Sequence, residues 1–231
     1  MPTSTDATPR LFNADEFLRM GELGILPVSG VELIYGEVLE KRGRGIPRRW
    51  TYDEYVQLGE AGIIRAGERT ELTNGEIVTM TPVGHRHIYV VDLLTELLGR
   101  WAHGRAILRV QSPLRFNDLD APQPDLVLLR LHEDRYRSRQ AGPWDALLVV
   151  EVADSSLARD QEKAVQYARA AIPEYWLVNV GAAAVQVHLN PVSGEYADVR
   201  EYHRGDVWTS PAMSGYEVTV EDVLGPASAG G

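Results

Sequence analysis

ALLVVEVADSSLARDQEKAVQYARA, residues 146–170, is the stretch whose reading decides the fold. Its first seven residues, ALLVVEV (146–152), have the length and apolar character of a strand buried on both faces. Glu151 interrupts that run. A buried carboxylate without a partner is costly, so an acid in this position needs a reason. Beyond the strand, ARDQEKAVQYARAA (158–171) reads as a helix, with Asp154, Ser155 or Ser156 placed to cap its start. The helix carries Lys163, and Lys41 is the only other lysine among 23 basic side chains. Early turns of a helix that follows a strand in a right-handed crossover lie near the strand's C-terminal end. Glu151 and Lys163 are therefore expected at the same end of the sheet.

Working outward, the same alternation of elements continues. HRHIYVVDLLTELLGRWAH (85–103) places Ile88, Val91, Leu94, Leu98 and Trp101 on a helical spacing. RAILRVQSPLRF (105–116) reads as a strand, APQP (121–124) as a turn, and DLVLLRL (125–131) as a second strand. After ALLVVEV and its helix, EYWLVNV (174–180) and AVQVHL (184–189) form a strand pair. The predicted core is α-β-β-β-α-β, an α/β (α+β) arrangement around a mixed sheet. Residues beyond about 224 are rich in Gly, Ala and Ser and read as a frayed tail.

Asp125 opens one apolar strand directly after Pro124, and Glu151 closes the next. If these strands are neighbours, the two carboxylates converge, and they repel unless a cation lies between them. Mg²⁺, or Mn²⁺, suits two oxygen donors and keeps waters for chemistry. A lysine beside such a centre stabilises developing negative charge. Each residue also has a plainer reading. An Asp after Pro serves as a turn residue, a helical Lys as solvated surface, and Glu151 as the partner of an arginine.

The first third contains a repeat. NADEFLRMGELGILPVSGVELIYGEVLE (13–40) aligns with TYDEYVQLGEAGIIRAGERTELTNGEIVT (51–79). Asp15-Glu16 matches Asp53-Glu54, Gly24-Ile25 matches Gly62-Ile63, and Gly36-Glu37 matches Gly75-Glu76. Each copy reads as a helix, a loop and a β-hairpin. Asn13 and Thr51 are the expected N-caps, with Glu16 and Glu54 closing capping boxes. Asn74-Gly75 is a strong hairpin signal. The predicted division is 1–47 with the first copy, 48–224 as the main domain, and 225–231 as tail.

Composition narrows the function. At 231 residues, 44% hydrophobic and 24% charged, the chain is expected to be a soluble globular protein. It has no apolar run of about 18 residues, so no membrane helix is expected. No secretory signal is read at the N-terminus, which points to the cytoplasm. The absence of cysteine removes disulfides, thiolate metal sites and cysteine nucleophiles. A net charge of −10 argues against a passive nucleic-acid coat, but bound divalent cations offset acidic charge at a nuclease centre. KRGRGIPRR (41–49) and EDRYRSRQ (133–140) read as solvated loops. Neither a G-x-G-x-x-G after a strand nor a P-loop is present, which disfavours a nucleotide-cofactor enzyme.

Pro124-Asp125 followed by Glu151 on the next strand of an α-β-β-β-α-β core resembles the PD-(D/E)XK nuclease superfamily. ERTELTNGEIVTMTPVGHRHIYVVDLL, PDLVLL, LLVVEVADSS and DQEKAVQYARAAIPEYWLV together resemble its Uma-two branch of restriction-endonuclease-like proteins, over roughly residues 50 to 190. The usual superfamily lysine, two residues after the second acid, is replaced here by Ala153. The resemblance implies that this lysine has moved to the following helix as Lys163. It further implies metal ligation by Asp125, Glu151 and the Val152 carbonyl. Glu71 matches an acid in the family pattern, which implies an additional ligand or water-positioning group, whereas the presence of the same acid as Glu32 in the first copy favours a structural role for the motif. His87 is expected to contact phosphate or tune a carboxylate. Gln111, on the first core strand, is a candidate to face the site, and Tyr167 to pack beside Lys163. The function implied is a Mg²⁺-dependent endonuclease acting on DNA. The alternative is a non-catalytic binding or regulatory module on the same fold. Nucleases of this superfamily often act as dimers, so a homodimer is expected, with the extra hairpin copy either forming a dimer surface or extending the sheet.

Overall fold

The computed structural model describes residues 7–41, 45–80, 84–153 and 157–227, with only the backbone at 157–161. The chain divides into two compact units, one made of residues 1–82 and 115–122, the other of 83–114 and 123–231. Residues 47 and 48, where the sequence suggests a boundary, both lie inside the first.

In the first unit, β1 (Ala7–Pro9) precedes α1 (Ala14–Glu22) and the hairpin β2 (Val31–Ile34) and β3 (Glu37–Glu40). Then β4 (Ile46–Pro47) precedes α2 (Tyr52–Glu60) and the hairpin β5 (Thr70–Thr73) and β6 (Glu76–Met80). Both helices start with complete capping boxes, Asn13 with Glu16 and Thr51 with Glu54. Both hairpins turn through two residues of positive φ, Tyr35-Gly36 and Asn74-Gly75. At the second of these, only glycine fits. A Cβ would stand 2.8 Å from Leu11 Cβ at Gly36 and 2.9 Å from Arg49 Cβ at Gly75.

The second unit begins with α3 (His85–Ala102), followed by β7 (Ala106–Val110) and β8 (Leu126–Arg130). Then come β9 (Ala146–Ala153), α4 (Leu157–Arg169), β10 (Glu174–Asn179), β11 (Ala184–Val192) and β12 (Glu195–His203). A ribbon of β13 (Val207–Ser210) and β14 (Tyr216–Thr219) leads into α5 (Val220–Leu224). The six-stranded sheet has the order β12-β11-β10-β9-β8-β7. Only β9 and β10 run parallel, which is why α4 is needed as the crossover between them.

Alternation along the strands sets the two faces. Leu126, Leu128, Leu148, Val150 and Val152 join Val91, Leu94 and Leu98 of α3 in one buried cluster. On the other face, α4 packs on β9, β10, β11 and β12. Back on the α3 face, beside Trp176, Glu174 is buried and accepts hydrogen bonds from Trp176 Nε1, Ser210 Oγ and the Ala212 amide. Burial outweighs these donors and pushes its carboxyl up.

The strands β12 to β14 are not apparent in the sequence because β12 is largely exposed and lacks an apolar alternation. The loop EDRYRSRQ is more than solvated surface. Tyr136 is buried, and Arg139 holds the buried Asp145 through two bonds of 2.6 and 2.8 Å. The expected caps Asp154, Ser155 and Ser156 lie outside the described residues, as does the tail from 228.

His188 on β11 lies between the rings of Tyr175 and Tyr196, at 5.1 and 5.4 Å. Its buried Nε2 has no hydrogen-bond partner among the described residues. Burial pulls its pKa down to about 4. The folded protein therefore refuses a proton that the unfolded chain accepts below about pH 6.5. Stability is fully present above that pH and falls as pH drops toward 4. Urea denaturation across this window should show the loss, on the order of 1–3 kcal/mol. His188→Phe, which keeps the ring contacts, should flatten it; an unchanged pH slope would contradict the assignment.

Candidate active site

Asp125 stands one residue before β8. The register pairs Leu126 with Val150 and Val127 with Val149, so its continuation sets Asp125 opposite Glu151. Pro124 offers no amide to extend the ladder. Instead, the Asp125 carboxylate takes the Val152 amide, with Oδ2 at 3.0 Å. On its other side, the Asp125 carbonyl accepts from the Gln111 amide at 2.9 Å. The backbone carbonyl of Asp125 thus faces β7, while its carboxylate reaches β9 at Val152, the residue after Glu151.

Each carboxylate has its own set of contacts. Asp125 Oδ1 meets His87 Nε2 at 3.1 Å and accepts from Gln111 Nε2 at 3.3 Å. His87, near the start of α3, is itself buried. Gln111 holds this position with φ of 45°, in the left-handed region that a glutamine rarely adopts. Glu151 Oε1 accepts from Lys163 Nζ at 2.7 Å and from the Tyr167 hydroxyl at 2.5 Å. Lys163 reaches Glu151 from the second turn of α4, and both side chains are nearly buried. An ammonium is held here by geometry and not by chance contact at the surface.

Burial alone would push the Asp125 carboxyl up. His87, the Val152 amide and the charge of Lys163 outweigh it and hold the group below the usual carboxylate range. Lys163 therefore acts on both acids. The N–H and C=O of a strand residue lie on the same edge, so the Val152 carbonyl also points toward Asp125. Two carboxylates and a carbonyl are hard oxygen donors, which fit Mg²⁺ or Mn²⁺ and not a soft metal. No three or more His, Cys, Asp or Glu among the described residues are placed together to hold a metal ion, so such a centre would rest on the acid pair and this carbonyl.

Chain similarity is in keeping with this arrangement. The family described as "Putative restriction endonuclease", Uma2, matches residues 52–221. The chain belongs to the Uma2 family. Among solved structures it is similar to "a putative nuclease belonging to DUF820 from Anabaena variabilis ATCC 29413". That likeness has a TM-score of 0.58 at 14% identity and covers 75% of this chain and 97% of that one. At this identity it speaks for the fold, a restriction-endonuclease-like α+β core with a mixed sheet. Among curated proteins nothing matches the chain. The Uma2 match begins inside the second repeat copy, which leaves the first copy outside it. No helix among the described residues is long and apolar enough to cross a membrane.

Of the residues singled out in the sequence, His87, Gln111, Asp125, Glu151, Val152 and Lys163 gather at one end of the sheet. Glu71 belongs to the first unit, on β5 opposite Val78, where it is buried and helps burial push the Tyr55 hydroxyl up. Its counterpart Glu32 is half-buried and lies 3.8 Å from Lys41, so the two copies treat this acid differently. Tyr167 does more than pack beside Lys163: its hydroxyl fixes Glu151. The sequence signal was available, since Tyr167 follows Lys163 by one helical turn. Tyr167→Phe should remove one charge-assisted bond from a fully buried ring and cost about 1–3 kcal/mol in urea denaturation. An unchanged midpoint would show that the bond contributes nothing to folding.

Proposed function

We propose that this protein is a metal-dependent endonuclease that hydrolyses phosphodiester bonds of DNA. One observation carries the reading: the Asp125 carboxylate takes the amide of Val152, next to Glu151, at 3.0 Å, while Lys163, from the next helix, reaches Glu151 at 2.7 Å. Membership of the Uma2 family supports it.

Asp125, Glu151 and the Val152 carbonyl would hold Mg²⁺ or Mn²⁺. When bound, such an ion polarises the scissile phosphate and lowers the pKa of a coordinated water. The chain's own groups prepare the site for this. His87 and Gln111 fix Asp125 Oδ1, and the Val152 amide fixes Oδ2, so the carboxylate cannot rotate away. Tyr167 and Lys163 anchor Glu151 through one oxygen. Lys163 brings a positive charge to a place where phosphoryl transfer develops negative charge, and there it orients the attacking water and stabilises the transition state. An ammonium in this position replaces the strand lysine absent at Ala153.

The acidic net charge of −10 favours a second reading, a non-catalytic module on the nuclease fold. Plasmid cleavage with Mg²⁺ or Mn²⁺ separates the two. The wild type should cut, and Asp125→Asn and Glu151→Gln should not. Lys163→Ala should fold but melt lower, because buried Glu151 loses its partner, and it should lose cleavage by a factor on the order of 10². Lys163→Arg should rescue poorly, because a guanidinium is not a point charge. Full activity in Lys163→Ala would rule out its role. No wild-type cleavage with any divalent metal or DNA form would favour the non-catalytic module.

A further inference from the structure

In the first unit the repeat extends further than its helices and hairpins, into the strands that lead into them. Arg10-Leu11-Phe12-Asn13 corresponds to Arg48-Arg49-Trp50-Thr51. Each arginine bonds the capping-box glutamate of its own copy, Arg10 to Glu16 and Arg48 to Glu54. Each guanidinium lies over its own aromatic ring, at 4.7 Å over Phe12 and 5.3 Å over Trp50. The aromatic amides each bond the turn glycine of their own hairpin at 2.7 Å, Phe12 to Gly36 and Trp50 to Gly75.

The leading strands, however, are exchanged. β1 pairs with β6 of the other copy, where the Arg10 amide donates to Ile77 at 2.8 Å. β4 pairs with β3, where the Arg48 amide donates to the equivalent Val38, also at 2.8 Å. The result is two matching three-stranded sheets, β1-β6-β5 and β4-β3-β2. The Phe12 and Trp50 rings meet at 5.4 Å. One core joins equivalent side chains from both copies: Met20 and Leu58, Ile25 and Ile63, Leu26 and Ile64, Val38 and Ile77.

A reciprocal exchange in which residue i of one copy meets residue j of the other, and j meets i, is the signature of an isologous two-fold interface. A chain with one copy would present a bare hairpin edge and a leading strand with no sheet, which a second chain would have to satisfy. Here a single chain supplies both halves, and the first copy lies outside the Uma2 match. We infer that residues 7–41 are a built-in second subunit for the helix-hairpin unit at 45–80, and that the protein works as a monomer. This reverses the expectation of a homodimer. Resting on the nuclease reading, one catalytic centre per particle makes the product a nicked strand.

The absence of cysteine gives a clean test. Because Arg10 and Ile77 form a hydrogen-bonded pair, Ala7 and Met80, three positions on, form a non-hydrogen-bonded one. Their Cα atoms are then within disulfide reach. The oxidised Ala7→Cys/Met80→Cys variant should run as a monomer on non-reducing gels at every concentration, with a raised melting temperature. Light scattering of the wild type should give 25.7 kDa. A covalent dimer, no cross-link, or a dimeric mass would each overturn the inference. Active enzyme should convert supercoiled plasmid to open circles before any linear form. A monomer that cross-links internally yet cuts no DNA would overturn the nuclease reading and leave this one standing.

Discussion

Two carboxylates held side by side in a protein interior are the constraint on which the second unit depends. Asp125 and Glu151 lie at one end of the sheet, and two unit charges about 5 Å apart repel by about 3 kcal/mol at an effective dielectric of about 20. Desolvation adds to that cost. The surrounding groups are arranged to offset it. His87, Gln111 and an amide serve one acid, and Lys163 and Tyr167 the other. The elements that deliver them are the ones the sheet order requires. α3 begins at this end of the sheet, and α4 begins there because the parallel β9–β10 pair needs a crossover.

The candidate site also holds a strained residue. Gln111 keeps an unfavourable backbone conformation beside Asp125. A structural ion pair would not need two acids; an acid and a lysine would be enough. The second carboxylate makes sense if a further positive charge joins the cluster, and hard oxygen donors choose Mg²⁺ or Mn²⁺.

Much of this was legible in the sequence, because buried strands and rare residues leave clear marks. Glu151 stood out in an apolar run, Lys163 stood out as one of two lysines, and Pro124 marked the start of a strand. The strand ladder could not be read, so the side-by-side placement of the acids could only be expected. β12 escaped because an exposed edge strand carries no apolar alternation. The repeat was visible through its Gly-Glu and Asp-Glu pairs, but the exchange of β1 and β4 was not. Pairing partners distant in sequence leave no local periodicity. Glu71 and Glu32 align, yet only Glu71 is buried, a difference set by packing that sequence equivalence hides.

The acid pair as a cation site is the centre of the account, and calorimetric titration with Mn²⁺ tests it without relying on activity. The wild type should bind Mn²⁺ and gain thermal stability, because a ligand that binds only the folded state stabilises it. Asp125→Asn and Glu151→Gln should lose both effects, while Lys163→Ala, which removes a competing charge from the pair, should retain them. Absence of Mn²⁺ binding by the wild type, or undiminished binding by Asp125→Asn, would contradict the account.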